Sequence, residues 1–162
     1  MRGENSAVLP EELRHIKLKI EVSKHAALLN NLFVDKWRQA GGTISDSDQV
    51  PLVLIDGERV VRHVLSVSPA DAKVSEYSLK YVLSFQLKTA GQKEPLFSQK
   101  LHLQRQYTVD SFNILAKEHE QVWLTNTMRQ QAIDQLVRKI SHVEPEVLLI
   151  LRSGSDDAGK TK

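Results

Sequence analysis

Cysteine is missing from all 162 residues, which removes both a disulfide frame and any thiolate metal site. No apolar run approaches the ~20 residues that cross a bilayer as a helix. The opening MRGENSAVLPEEL has neither the basic n-region nor the apolar h-region of a signal peptide. An excess of one charge is also missing: 22 Lys and Arg face 20 Asp and Glu, a net of +2, far below the density of a chain devoted to nucleic acid. Aromatic residues are 6% of the chain, and Tyr77, Tyr81 and Phe85 fall at core positions, which leaves little for stacking on bases. Catalytic signatures are absent as well. There is no Gly-x-Ser-x-Gly elbow, and Gly41-Gly42 ends a helix where a phosphate cradle begins one. The six histidines are dispersed; His119-Glu120 opens like a zincin helix, but the position four after His119 is Trp123. No enzyme, metal or cofactor is expected.

What is present is a set of clear periods. With 41% hydrophobic residues the chain suits one domain, assigned to 1–143, followed by a polar tail over 144–162 of disordered composition in which only VLLIL is apolar. Ile16, Leu18, Ile20 and Val22 alternate with Lys17, Lys19 and Glu21, a half-buried strand. Ser23 offers an N-cap for a helix over roughly 24 to 40, whose apolar face holds Leu29, Leu32, Phe33, Val34, Trp37 and Ala40 and stops at Gly41-Gly42. TISDSDQ reads as a loop closed by Pro51. Residues 52 to 67 read as one long strand bent or bulged at Gly57, with a hairpin at Asp56-Gly57 as the alternative. Tyr77, Leu79, Tyr81, Leu83, Phe85 and Leu87 alternate with polar residues in the clearest strand, and Phe97, Leu101, Leu103 and Tyr107 mark a last one. Asp110 or Ser111 caps a long helix on which Leu124, Met128, Ala132, Leu136, Ile140 and Val143 form one stripe, widened by Ile133 and Val137. The expected fold is α+β: a four-stranded mixed sheet in the order β-α-β-β-β-α, with two helices on one face.

The wording of that helix carries a resemblance. Leu115-Ala116-Lys117, Glu120, Leu124, Met128, Ala132 and Gln135-Leu136-Val137-Arg138-Lys139-Ile140 resemble the C-terminal helix of the LptE family of lipopolysaccharide (LPS)-assembly lipoproteins, also called rare lipoprotein B. Leu9-Pro10, Val50-Pro51 and Glu76-Tyr77, ahead of or opening successive strands, fit the same family in order and spacing. The resemblance implies a mixed sheet with both helices on one side. It also implies a lipoprotein at the periplasmic face of the outer membrane, partner of the LptD β-barrel and binder of LPS through lipid A. Arg2-Gly3 resembles the end of the sequence that follows the lipidated Cys in family members, which implies an N-terminal lipid anchor upstream. The rival reading is a generic α+β module that binds another anion, a nucleic acid included, or another protein.

Two basic groupings compete for an anion. Lys17, Lys19, Lys80, Lys88, Lys100 and His102 alternate with core positions and are expected on the open sheet face, where Lys also discourages edge aggregation. Lys117, in its Leu-Ala-Lys setting at a helix start, matches the position that the resemblance assigns to the LPS-binding patch. Lys73, in the SPADAKV loop, is the candidate for the second basic position of that patch, although the loop does not align cleanly. Lys117, Lys73, Lys80 and Lys100 are therefore the expected LPS contacts.

Overall fold

The computed structural model describes residues 17–67, 69–70, 74–89, 91–108 and 114–142. Its elements run β1 (Lys17–Val22), a 3-10 turn (Lys24–Ala26), α1 (Leu28–Gln39), β2 (Thr43–Ile44), β3 (Leu52–Val67), β4 (Val74–Lys88), β5 (Phe97–Thr108) and α2 (Ile114–Ser141). The sheet order is β2-β1-β3-β4-β5; β1 pairs in parallel with β2 and β3, and the remaining pairs are antiparallel. The expected α+β fold with a mixed sheet and two helices is present, with five strands in place of four. The fifth is β2, inside the segment read as a loop. Two residues are too few to display a period of two, and β2 exists because Lys17 and Leu18 offer it a parallel edge, closed by Ser45 N–H donating to Leu18 C=O at 2.8 Å.

Helix α1 begins later than residue 24. Ser23 makes no side-chain cap; its backbone N–H donates to Ile55 C=O at 3.0 Å, so it ends β1, and the 3-10 turn intervenes before Leu28. The stop is where expected. Gly41 takes φ 103°, and a Cβ on Gly42 would lie 2.2 Å from Trp37 Nε1, so the pair provides the left-handed turn and the room for Trp37. Trp37 stacks on Phe33 at 5.9 Å and donates its indole N–H to Thr43 C=O at 3.2 Å, tying α1 to β2.

Residues 52–67 form one strand, with a bulge between Ile55 and Gly57 rather than a hairpin. The whole inward row of β4, Tyr77 to Leu87, is buried, and it meets Leu18, Val53, Ile55, Leu101 and Tyr107 on neighbouring strands. Leu29, Phe33 and Trp37 of α1 and Leu124, Met128, Ala132, Ile133, Leu136, Val137 and Ile140 of α2 close the same core. The expected α2 stripe is thus buried from Leu124 to Ile140. Val143, the Asp110 or Ser111 cap and the tail over 144–162 lie outside the described residues.

Candidate functional site

The open face of the sheet, away from the helices, is built by the alternate residues of β3, β4 and β5. Three cross-strand rows define it: Val61, Lys80 and Gln104; Arg59, Val82 and His102; Gly57, Ser84 and Lys100. Lys80, Lys100 and His102 are exposed there, as expected, and Lys17 is exposed on β1. A shallow depression of about 290 Å³ lies among Lys80, Val82, His102 and Gln104, and a second of about 210 Å³ among Asp56, Ser84, Ser98 and Lys100. The first hollow, with Lys80 and His102 at the rim and the Gln104 amide beside them, has donors for a phosphate or sugar hydroxyl, whereas Asp56 sets a carboxylate against Lys100 in the second. Lys19 and Lys88 are half-buried. Lys19 is paired with Asp48, whose hydrogen bond holds the ammonium above its usual range, so it offers less to an outside anion.

Arg59 and His63 also belong to this face, and sequence reasoning missed them. Strict alternation from Val53 and Ile55 would turn residues 59, 61 and 63 inward. The bulge inserts one residue, and beyond it Glu58, Val60 and Arg62 stand on the helix side instead. The signal was the Asp56-Gly57 pair, read as a bulge without its consequence for parity.

On the helix side the same bulge buries a polar cluster. Glu58 Oε2 accepts from Tyr81 O–H at 2.5 Å and from Arg129 Nε at 2.6 Å, while Arg129 Nη2 donates to Oε1 at 3.1 Å. Burial first, and then the bond to Glu58, pushes the Tyr81 phenol far above its ordinary range; the bond to Glu58 raises Arg129 as well. Arg62 lies over the Tyr77 ring at 4.7 Å and donates to Gln121 Oε1 at 2.9 Å. These groups satisfy one another and hold α2 to β3.

Gln121 contacts both Arg62 and Tyr107, so the start of α2 lies over the end of the sheet where β3 finishes and β4 begins. Lys117 falls in the first turn of α2, at that end; its side chain, and all of Lys73, lie outside the described residues. The expected site residues therefore divide: Lys80 and Lys100 share the open face, whereas Lys117 belongs to a helix on the other side.

A family model described as "LptE: Lipopolysaccharide-assembly" matches residues 17–140. The chain belongs to the LptE family. It is thus a member of a Gram-negative lipoprotein family of LPS assembly, and that family is a non-enzymatic component of envelope biogenesis. Among solved structures, the rare lipoprotein B of Shewanella oneidensis is 28% identical, with a TM-score of 0.69 over 77% of this chain and 93% of that one. Lipoprotein B of Nitrosomonas europaea is 22% identical with a TM-score of 0.68, over 87% and 88% of the two chains, and shares the fold. So does a minor lipoprotein of Acinetobacter baumannii, at 18% and 0.65, over 77% and 90%. No curated protein matches the chain. Among the described residues, no helix of this LptE-family chain is long and apolar enough to cross a membrane.

Proposed function

We propose that this domain is the lipoprotein partner of the LptD outer-membrane β-barrel: it fills the barrel lumen, assists the assembly of the barrel, and binds LPS during delivery to the outer leaflet. It works from the periplasmic face of the outer membrane, held by an N-terminal lipid, and acts by binding rather than catalysis. The observation that carries this reading is the family match across both helices and the sheet, residues 17–140. Lipid A presents phosphates beside acyl chains, so its receptor needs cations next to apolar surface. Lys117 is the primary contact in this reading, with Lys73 beside it and Lys80 and Lys100 as contacts on the open face.

The test is LPS pull-down beside thermal unfolding for the wild type, Lys117→Ala and Lys117→Asp, with co-purification of LptD as a second readout. Lys117→Asp is expected to weaken LPS capture more than Lys117→Ala, by ~1.5 to 3 kcal/mol where the contact is shielded, with fold and LptD association kept, because a helix start accepts Asp. Unchanged capture by Lys117→Asp would remove that residue from the site. Normal yield of assembled barrel in cells lacking this protein would overturn the LptD reading.

A further inference from the structure

Strand β3 changes character part-way along. From Leu52 to Ile55 it pairs with β1 on one edge and β4 on the other; past Ile55 the β1 lane ends, because Ser23 turns the chain into the 3-10 helix. Among the described residues nothing pairs with the outer edge of Arg59 to Leu65, although β4 continues to pair the inner edge. Along these seven residues the alternate peptide groups that point away from β4 therefore have no ladder partner among the described residues, a template for one more strand.

The side chains beside this edge define what fits it. On the open face stand Arg59 and His63, with Lys80 one strand in, next to Val61. The nearest acids of that face, Asp56 and Glu76, lie beyond the two ends of the stretch. On the helix side stand Val60 and Val64, both exposed, with Arg62 between them drawn over Tyr77 and bonded to Gln121, and Val122 of α2 is 62% exposed. Val122 lies two helical turns before Arg129, which reaches Glu58 of β3, so it shares the helix stripe that overhangs this edge. Glu58 is fully engaged by Tyr81 and Arg129 and offers no free negative charge.

We infer that the outer edge of β3 from Arg59 to Leu65 is a docking lane for an extended segment of a partner polypeptide in which apolar residues alternate with Asp or Glu. Its backbone completes the ladder. Its carboxylates pair across the strand with Arg59 and His63, and its apolar residues pack against Val60, Val64 and Val122. This inference does not depend on the LPS reading, since it uses neither Lys117 nor a lipid.

The experiment titrates the full chain with an eight-residue peptide of alternating Val and Glu and follows backbone amide shifts and exchange by NMR. Exchange of the outward-pointing amides within Arg59 to Leu65 is expected to slow at least tenfold at saturation, with those already bonded to β4 and the outer edge of β5 unaffected. The double variant Arg59→Glu with His63→Glu, at exposed positions, is expected to bind that peptide at least tenfold more weakly and to prefer one of alternating Val and Lys. The same peptide N-methylated at every residue keeps the charges and loses strand pairing, so its binding is expected to vanish. Equal binding of the methylated peptide would reduce the contact to charge alone and overturn the lane. Protection of the β5 edge instead would also overturn it, as would self-pairing of two copies through Arg59 to Leu65 in sedimentation without peptide.

Discussion

The two halves of β3 share one strand and have opposite duties. Ile55 is 0% exposed, flanked by strands on both edges and covered by the core; Val64, nine residues on, is 54% exposed and among the described residues has a strand on one edge only. The boundary is set by the length of β1, six residues, and by Ser23, whose N–H donates the last hydrogen bond to Ile55 C=O. The difference teaches that a strand need not be wholly core or wholly surface. In this sheet the crossover fixes one half, while the other half is held by a hairpin partner and by polar contacts to α2.

The sharpest way to break the contrast is substitution in each half. Ile55→Ala is expected to lower stability by ~2 to 5 kcal/mol through lost transfer energy and a cavity, and Val64→Ala to change it by no more than ~0.5 kcal/mol. Denaturant unfolding measures both, and similar losses would erase the distinction. Next in size is Arg129→Met, which strands the Glu58 carboxylate among buried neighbours and is expected to cost ~3 kcal/mol. Hydrogen exchange is then expected to accelerate across Glu58 to Leu65 before it does so across Leu52 to Ile55. A smaller loss than that of Arg129→Met comes from Tyr81→Phe, expected to cost ~1 kcal/mol near neutral pH by leaving Glu58 short of a donor. The raised phenol adds a sign. An unfolded tyrosine ionises near 10.0 and the folded one far higher, so the stability that Tyr81 contributes is full below pH 10 and declines as pH rises above it. The gap between wild type and Tyr81→Phe is expected to narrow between pH 10 and 11 by about 1 kcal/mol, enough to close it. A gap that stays constant over that range would mean the phenol is not held neutral.

Where the period was long and unbroken, the sequence was legible. The inward row of β4 and the stripe from Leu124 to Ile140 were readable because twelve or more residues repeat a single period that burial enforces. Lys80, Lys100 and His102 followed from the same alternation. The failures sit where a tertiary neighbour decides. β2 needs the edge of β1, the start of α1 is displaced by Ile55 claiming Ser23, and the faces of Arg59 and His63 depend on a one-residue bulge. Lys117 was singled out by its resemblance to a motif, a different kind of warrant from alternation.

The parallel pairing of β1 with β3 has a consequence in time. β3, β4 and β5 follow one another along the chain from Leu52 to Thr108 and are joined by neighbour-to-neighbour contacts. By contrast, Lys19 must find Leu52 across the whole of α1 and β2, a larger loop to close. The meander is therefore expected to assemble first and β1 to dock last. Pulse-labelled exchange during refolding checks this by whether amides of β4 and β5 gain protection ahead of those in Lys17–Val22, and the free lane beyond Ile55 is then the part of β3 that the late-arriving strand is too short to cover.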